Sequence, residues 1–211
     1  MNLTIIGASA GVGFETVQRA LERGHRVTTL SRSGLSMPSD PSLIDVKGSA
    51  TDRNVLRQVL KESDAVIVAL GTGKSMKATT LYSDFARLLI EIQSDLNKNK
   101  PYIVLTGFGA GESGSYVHNF FMKLFFKFFL KDVYADKTIM EEIISKSDLK
   151  WEIVRPGILK SDPLTEKYRV ETKLFKGIKI GSINRSDVAD FLVKQAESPS
   201  HLFQYVSLSN K

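Results

Sequence analysis

The first fifteen residues constrain the fold of this chain more strongly than any other stretch. A short apolar run at 2–6 is followed by a turn at 7–13, Gly-Ala-Ser-Ala-Gly-Val-Gly, and then by helical spacing of apolar residues as far as Arg23. This pattern predicts a strand, a glycine-containing turn and a helix. Backbone N–H groups at the start of such a helix point outward with partial positive charge, which favours a bound phosphate.

Each glycine of this turn has a separate expected role. Gly7 allows the chain to turn sharply off the strand, Gly11 lets the backbone approach a pyrophosphate, and Gly13 permits the helix to pack closely on the strand. We therefore predict the first half of a dinucleotide-binding unit. The alternative is an ordinary strand-to-helix turn that holds no ligand.

Alternating strand and helix patterns along the rest of the chain predict the fold class. Strands are expected at 2–6, 26–30, 43–47, 65–70, 102–106, 151–154 and 204–208. Helices are expected at 12–23, from a cap at Thr51 or Asp52 to residue 60, at 80–97, over 115–147 in two pieces, and from Asp187 to 197. We predict an α/β fold with a single domain over 1–211, a Rossmann-like doubly wound parallel sheet with helices on both faces. Arg155-Pro156-Gly157 should stop the strand after Val154, and 158–183 should form an irregular region on the substrate side.

Composition excludes several classes of function. The chain has no cysteine, which excludes disulfides and thiolate chemistry, and its three histidines are too dispersed for metal-ligand spacing, so we predict no metal site. The net charge of +6 comes from scattered lysines, so no nucleic-acid partner is expected, although a basic surface favours anionic cofactors. With no leader pattern and no run of ~18 apolar residues, we expect a cytoplasmic protein without membrane contact.

Arg32 indicates which dinucleotide is expected. Ligands of doubly wound sheets lie at the carboxyl ends of the strands, and Arg32 follows the second strand, where the adenosine ribose lies. An acidic residue there would accept a hydrogen bond from NAD, whereas an arginine pairs with the 2′-phosphate of NADP. Ser31 and Ser33 could donate to the same phosphate. We therefore predict NADP (NADPH) rather than NAD, with an ordinary surface arginine as the alternative.

Six segments spread along the chain share a family pattern. They are Gly7-Ala8-Ser9 with Gly13, Leu30-Ser31-Arg32, the apolar strand and its end at 64–72, the helix at 136–147, the segment at 151–157, and Asn184-Arg185-Ser186-Asp187-Val188-Ala189. Together they resemble the atypical, NmrA-like branch of the short-chain dehydrogenase/reductase superfamily. Within it they are particularly similar to the proteins related to biliverdin reductase B, or flavin reductase. The resemblance spans nearly the whole chain.

This resemblance implies a dinucleotide site built from the ends of several strands. The residues around the pyrophosphate would be Gly7, Ser9, Ala10, Gly11, Val12 and Gly13. The other implied positions are Arg32 for the 2′-phosphate, Ser49 and Ala50 for the adenine, Leu70, Gly71 and Thr72 for the ribose side, and Thr106, Gly107, Pro156, Gly157 and Ile158 for the nicotinamide. The atypical branch usually has glycine at the position of Ala10, and here glycine follows one residue later, which leaves the loop geometry open.

The catalytic residues that the resemblance implies are only partly present. Typical members use serine, tyrosine and lysine, with the tyrosine four residues before the lysine, which lowers the tyrosine pKa and holds the ribose. Here Thr106 stands where serine is expected, and Tyr134 and Lys137 are three apart on one helical face. We take Thr106, Tyr134 and Lys137 as the candidate catalytic set. Alternatively, Tyr134 only packs and Lys137 alone touches the ribose or solvent. The resemblance allows this, since in the biliverdin reductase B-like proteins hydride can pass to a bound flavin or tetrapyrrole with little help from protein side chains.

An apolar segment at 120–131 is interrupted by a lysine every fourth residue, at Lys123, Lys127 and Lys131. The spacing predicts one polar stripe on an otherwise apolar helix. The segment is too short to cross a bilayer. It could be a buried helix with one wet edge, an oligomer interface or wall for a flat aromatic substrate, or a helix lying on a membrane surface.

Three functions remain open from the sequence. The first is an NADP-dependent oxidoreductase that transfers hydride to a small planar acceptor such as flavin or quinone. The second is an NmrA-like dinucleotide sensor without catalysis, which the missing four-spaced Tyr–Lys pair keeps open. The third and weakest is a sugar-nucleotide epimerase or dehydratase, because those proteins are usually longer and keep the Tyr–Lys pair. The expected partner is a small-molecule acceptor, and the protein is expected to be a monomer or homodimer.

Overall fold

The computed structural model of the protein describes residues 1–73, 75, 78–96, 100–117 and 130–210. The described strands are β1 (Asn2–Ile6), β2 (Arg26–Ser31), β3 (Leu43–Lys47), β4 (Ala65–Val68), β5 (Pro101–Leu105), β6 (Lys150–Pro156), β7 (Ile158–Lys160), β8 (Tyr168–Glu171), β9 (Ser182–Asn184) and β10 (Gln204–Asn210). The described helices are α1 (Gly11–Glu22), α2 (Arg53–Leu60), α3 (Leu81–Leu96), α4 (Lys131–Ser145) and α5 (Arg185–Glu197), with a short 3-10 helix at Gly111–Tyr116.

The main sheet has eight strands in the order β3-β2-β1-β4-β5-β6-β10-β8. All neighbouring pairs are parallel except β10 with β8. The strand order reverses between β1 and β4, and in such sheets the ligand crevice lies at the carboxyl ends of the strands at that reversal. The predicted Rossmann-like α/β fold is confirmed, with one antiparallel edge strand that was not expected.

Two apolar cores cover the two faces of the sheet. Helices α1 and α5 pack on one face and α2, α3 and α4 pack on the other. The central strand β4, with sequence Ala-Val-Ile-Val, is buried throughout, because a strand covered by helices on both faces has no solvent side. Asp52 caps α2 by accepting hydrogen bonds from the backbone N–H groups of Asn54 and Val55, which decides between the two predicted caps.

Two sequence-based expectations about the carboxyl half were wrong. Strand β6 does not stop before Arg155 but continues through Pro156, and Pro156 pairs in register with Leu208 of β10. The region predicted to be irregular contains three short strands, of which β7 and β9 pair with each other and β8 adds to the edge of the main sheet. From the sequence alone, a proline predicts the end of a strand. In the sheet, the missing N–H of Pro156 removes only one hydrogen bond of the ladder, so the strand continues.

The predicted helical region at 115–147 is described only in part. Helix α4 covers Lys131–Ser145, and a 3-10 helix ends at Tyr116. Residues 118–129 lie outside the described residues, and so do most of the lysine stripe and the three interpretations offered for it. Within the described part of the chain, none of the helices combines the length and the apolar character that a membrane span requires.

Glu152 is the one acidic side chain of β6, and both of its carboxyl oxygens are buried without a hydrogen-bond partner in the described structure. Burial raises its pKa from 4.5 to about 8. Between these two values the folded chain holds a proton that the unfolded chain has lost, so stability should fall as the pH rises through this window. The upper limit of the loss is roughly 5 kcal/mol, at about 1.4 kcal/mol per pKa unit.

Glu152→Gln should therefore flatten the dependence of the unfolding free energy on pH between about 5 and 8. Urea unfolding at several pH values measures this slope. The exposed Glu62 supplies the control, since Glu62→Gln should leave the slope unchanged. A Glu152→Gln protein that loses stability with pH as steeply as the wild type would show that another group is responsible.

Candidate cofactor and catalytic site

The glycine turn after β1 forms a close joint between β1, α1 and β4. Gly7 has a φ of +90°, and a Cβ there would lie 2.4 Å from the carbonyl oxygen of Ala69. A Cβ on Gly13 would lie 2.1 Å from the carbonyl oxygen of Gly7. Both positions therefore exclude any larger residue, and the close packing expected of Gly13 is present.

The N-terminus of α1 is open to an anion. Its cap residue Ala10 makes no side-chain hydrogen bond, and the first turn contains no acidic residue. Ser9, Ala10 and Gly11 are exposed, whereas Val12 is buried beneath them. The first backbone N–H groups of a helix have no partner inside it, so this end of α1 has unused donors that suit phosphate oxygens.

The carboxyl end of β2 places a basic group beside the crevice. Arg32 and Ser33 are exposed, and Arg32 makes no ion pair within the described part of the chain. The hydroxyl of Ser31 is buried without a hydrogen-bond partner there. Lys47, a residue that sequence reasoning missed, is the ladder partner of Ser31 on β3 and adds a second exposed cation. These groups fit a phosphate on the adenosine ribose.

The residues implied for the adenine and the ribose lie on neighbouring strand ends. The N–H of Gly48 donates to the carbonyl of Ser31 and so keeps the ends of β2 and β3 together. Ala50 is buried, and the Ser49 hydroxyl bonds with that of Thr51. Across the crevice, Leu70 is half-buried and Gly71 is exposed after β4, and the Thr72 hydroxyl donates to the carbonyl of Ser75.

Lys137 of α4 reaches the carboxyl end of β5. Its ammonium Nζ donates to the carbonyl oxygen of Thr106 at 2.7 Å and lies 5.4 Å and 5.1 Å from the ring centroids of Tyr82 and Tyr134. Loss of hydration lowers the pKa of Lys137 to about 8, against the opposing charge of Glu141. An ammonium with this pKa is still largely protonated at neutral pH and gives up its proton readily.

Pro156 explains why the Thr106 carbonyl is free to bind this lysine. Along the β5–β6 ladder the N–H of Thr106 donates to Val154 and the N–H of Phe108 donates to Pro156. In a parallel ladder the amide of residue 156 would donate back to the carbonyl of Thr106. Proline has no N–H, so this carbonyl accepts from Lys137 instead.

Asp136, the residue before Lys137 in α4, positions Tyr82, which is one of the two aromatic residues beside Lys137. Asp136 is buried, and its carboxylate accepts hydrogen bonds from the backbone N–H groups of Tyr82 and Ser83 in the first turn of α3. This bond caps α3 from another helix and holds the ring of Tyr82 beside Lys137. Burial raises the pKa of Tyr82, although hydrogen bonding with Thr72 lowers it in part.

Tyr134 is close to the site but is poorly suited to act as the acid of a typical Tyr–Lys pair. Its hydroxyl lies over Gly107, because a Cβ on Gly107 would be 2.6 Å from it. Burial raises the pKa of Tyr134 to about 12, so the ring stays neutral. Four residues before Lys137, where typical members have tyrosine, stands Val133, which is buried in the core.

The hydroxyl of Thr106 is hydrogen-bonded to the buried ion pair of Glu141 and Arg155. It donates to Glu141 at 2.6 Å, and Glu141 accepts two hydrogen bonds from Arg155, at 3.1 Å and 2.7 Å. The side chains of Glu141 and Arg155 are each 2% exposed. Since the threonine proton is directed at Glu141, Thr106 offers a substrate only acceptor lone pairs in this arrangement.

The segment after β6 returns to the same edge of the sheet. Pro156 is buried. The N–H of Gly157 donates to the carbonyl of Leu208 and that of Ile158 to the carbonyl of Gly181, and Ile158 is 52% exposed. Along the sheet, the end of β5 with Thr106 and Gly107 lies between the glycine turn and the segment 156–158. The structure brings the predicted strand-end positions together along the carboxyl edge of β1 to β6.

Sequence reasoning missed several polar residues of this edge. Glu141 had a usable signal, since it follows Lys137 by four residues and shares its helical face. Arg155 also had one, because a charged residue inside an apolar strand needs a buried partner. Arg185 lay in the segment 184–189 that carries the resemblance, but its position beside the glycine turn, with its Nε 3.9 Å from a Cβ built on Gly11, depends on the packing of α5.

A separate pocket of about 360 Å³ lies away from the predicted cofactor residues. It is found over β10 and the segment after β8, and its lining includes Glu112, Arg155, Lys173, Phe203 and Tyr205. The Arg155 guanidinium lies 4.1 Å from the centre of the Tyr205 ring. None of these five residues makes a described hydrogen bond to Thr106 or Lys137; Arg155 is connected to Thr106 only through Glu141.

Comparison with known proteins agrees with this geometry. Residues 7–199 match the family described as NAD(P)H-binding. A relative from Arabidopsis thaliana, an uncharacterized chloroplastic protein, is 27% identical over 218 residues, which cover 97% of this chain and 75% of the relative.

Two solved structures share the fold along nearly the whole chain. ChuY, an anaerobilin reductase from Escherichia coli O157:H7, is 21% identical with a TM-score of 0.78, covering 100% of this chain and 97% of that one. A short-chain dehydrogenase/reductase (wide type) from Veillonella parvula, in complex with NADP, is 14% identical with a TM-score of 0.79, covering 99% of this chain and 94% of that one. At these identities the likeness shows the fold alone.

The family match extends from the glycine turn of β1 through the last helix, α5. Within it lie the uncapped helix N-terminus, the exposed Arg32 and the Lys137 contacts described above. The family expected from the resemblance is confirmed at this level: the chain belongs to the NAD(P)H-binding family, and its fold is Rossmann-like.

Proposed function

We propose that this protein is an NADPH-dependent reductase that transfers hydride to a small planar acceptor such as a flavin or a quinone. The observation that carries the proposal is the placement of Lys137, whose ammonium is held at the end of β5 between two aromatic rings. This position lies on the same edge as the glycine turn, so a proton donor and a dinucleotide would meet there. Tyr134 beside it is partly exposed, and an aromatic ring there suits a flat acceptor.

The cofactor preference rests on the end of β2. NADPH differs from NADH by the 2′-phosphate, and Arg32 is exposed there with Lys47 on the next strand. An arginine can bind this phosphate with two parallel hydrogen bonds, and the crevice end of β2 has no acidic side chain at 31–33 that would repel it.

The remaining binding roles follow from position. The N-terminus of α1 would bind the pyrophosphate, Ser49 and Ala50 would flank the adenine, and Gly71 and Thr72 would lie against the ribose. Gly107 and the segment after β6 would border the nicotinamide. The absence of a side chain at Gly71, where a Cβ would meet, among the described residues, only the backbone nitrogen of Gly73 at 3.9 Å, leaves room for the ligand to approach the backbone.

The chemistry divides between cofactor and protein. Bound NADPH supplies the hydride, and reduction of a quinone or flavin then requires one proton to balance it. Lys137 can donate that proton from Nζ, because its pKa of about 8 makes it a better acid than Tyr134, whose pKa is about 12. Glu141 and the Thr106 carbonyl keep the ammonium in place.

A dinucleotide sensor without catalysis is the second candidate. The observation that favours it is the buried Val133, which stands where typical members have the catalytic tyrosine. Such a protein would bind NADPH without turning it over. A panel of flavin, quinone and tetrapyrrole acceptors separates the two functions, because only the reductase oxidises NADPH in their presence.

Arg32→Ala tests the cofactor assignment. Loss of the arginine–phosphate contact should weaken NADPH binding roughly 10- to 100-fold, which corresponds to about 1.5–3 kcal/mol, and should leave NADH binding unchanged. Fluorescence titration of the reduced nicotinamide measures both. Arg26→Ala, at the amino end of the same strand, is the matched control. If the wild type binds both dinucleotides equally, the NADP preference is wrong, and if it binds neither, the reductase and sensor functions both fall.

A further inference from the structure

Arg185 stands beside the glycine turn although it comes from the other end of the chain. It is the first residue of α5, directly after the cap residue Asn184. A Cβ placed on Gly11 would have the Nε of Arg185 as its neighbour, at 3.9 Å. The guanidinium therefore lies next to the uncapped N-terminus of α1.

This placement is unfavourable for the isolated helix α5. A cation at the first position of a helix meets the positive end of the backbone dipole. Arg185 makes no ion pair within the described part of the chain. The guanidinium therefore adds positive charge beside the uncapped N-terminus of α1. The acidic residue in the first turn of α5, Asp187, is already engaged by hydrogen bonds from Thr165, Glu166 and Asn184. The unbalanced positive charge beside Gly11 is the electrostatic condition for binding an anion.

One nitrogen of the Arg185 guanidinium is held by hydrogen bonds to the described residues, and the other two are not. Its Nη1 donates to the hydroxyl of Ser161 at 2.9 Å and to the carbonyl of Leu159 at 3.4 Å. Nε and Nη2 donate no hydrogen bond to any described residue. Arginine binds phosphate best through two adjacent N–H groups, and these two remain available.

Asp187 holds the segment that orients Arg185. Its buried carboxylate accepts hydrogen bonds from the backbone N–H groups of Thr165 and Glu166, and also from the side chains of Thr165 and Asn184. The stretch between Leu159 and Glu166 is thereby tied to the first turn of α5. Arg185 and this stretch form one unit facing the end of α1.

We propose that Arg185 is a binding residue for the pyrophosphate of the dinucleotide. Its Nε and Nη2 groups bind phosphate oxygens opposite the N-terminus of α1, while Nη1 keeps the stretch after β7 next to the bound cofactor. The inference rests on the proposed function. It assigns the two arginines of the site to different phosphates: Arg32 reads the 2′-phosphate, and Arg185 binds the group that NADH and NADPH share.

The test compares the two arginines on two dinucleotides. Arg185→Gln should weaken NADH and NADPH by the same factor, roughly tenfold or more for a lost charged hydrogen bond to phosphate, whereas Arg32→Gln should weaken NADPH alone. Calorimetric titration measures the affinities. Arg87→Gln removes the same charge from an exposed surface position of α3 and is the control. Arg185→Gln should also weaken ADP-ribose and leave adenosine 2′-monophosphate, which has no pyrophosphate, unchanged.

A second measurement uses the unaltered protein, so that a poorly folded variant cannot hide the answer. Phenylglyoxal modifies accessible arginines, and mass spectrometry reports each one separately. Saturating NADH should protect Arg185 and leave Arg32 reactive, whereas NADPH should protect both. If NADH binds while Arg185 is modified at its free rate, or if Arg185→Gln binds NADH as tightly as the wild type, the inference is wrong. Failure of the wild type to bind either dinucleotide overturns the proposed function instead.

Discussion

Lys137→Met is expected to lower kcat by about 100-fold or more with any planar acceptor that the wild type reduces. Methionine preserves the length and packing of the side chain but cannot donate a proton, and positioned general acids contribute roughly 10²- to 10⁴-fold to rates. Binding of NADPH should change far less, because the phosphate contacts lie elsewhere. Steady-state kinetics and dinucleotide titration together separate the two effects.

The same role of Lys137 also predicts in which direction kcat changes with pH. The ammonium of Lys137 is the active form, and its pKa is lowered to about 8 by loss of hydration. The wild-type kcat should therefore fall as the pH rises through about 8, and the residual kcat of Lys137→Met should not show this fall.

Lys146→Met, at the exposed end of the same helix, is the control for Lys137→Met and should retain wild-type kinetics. A Lys137→Met protein with wild-type kcat would show that solvent protonates the acceptor. Loss of NADPH binding without a change in kcat would instead assign Lys137 to the ribose alone, the alternative that the sequence left open.

Arg155→Met should lower the free energy of unfolding by about 3–5 kcal/mol. Arg155 and Glu141 are both almost fully buried and share two hydrogen bonds. Removing the guanidinium leaves the Glu141 carboxylate without its cation in an environment that cannot hydrate it. Denaturant unfolding at constant pH measures the loss.

A second substitution distinguishes an unpaired charge from lost packing. Glu141→Gln in the Arg155→Met background removes the charge and keeps an oxygen that can accept from Thr106, so it should recover most of the stability. Arg57→Ala, which removes the exposed pair with Asp95, should cost less than about 1 kcal/mol. If Arg155→Met costs no more than Arg57→Ala, the buried pair is not what stabilises this part of the sheet.

The two predictions are connected through Thr106. Its hydroxyl is held by Glu141 and its carbonyl by Lys137. Loss of the Arg155–Glu141 pair should therefore also disturb the position of Lys137. A destabilised but folded Arg155→Met protein is expected to have a lower kcat at temperatures where it remains native.

The glycine turn and the alternating pattern were predictable because the physics behind them is local. Gly13 is required by its contact with the carbonyl of Gly7, six residues earlier, and the positive φ of Gly7 belongs to the same turn, so their spacing already identifies the joint. The contact of Gly7 with Ala69 comes from the neighbouring strand end and was not needed for the prediction. Strand β4 is apolar throughout because both of its faces are covered, and that burial is visible in four consecutive residues. The position of Arg32 was predictable in the same way, because it directly follows β2 and the ligand of such a sheet lies at the carboxyl ends of the strands.

The catalytic end of the site depended on contacts between segments that are distant in sequence. Lys137 meets Thr106 across 31 residues, and Thr106 meets Glu141 across 35. Pro156 shows the difference most clearly. By local rules it ends a strand, whereas in the sheet its missing N–H leaves the Thr106 carbonyl to accept from Lys137.

The sequence by itself determined the α/β fold, the glycine turn that begins the cofactor site and the basic residue expected at the 2′-phosphate, since each depends on short-range spacing. Only the tertiary structure decided that Lys137 rather than Tyr134 has the more acidic proton, and that Arg185 lies beside Gly11. The reason is that burial and charge neighbours set a pKa or a binding position, and both are properties of packed elements from different parts of the chain.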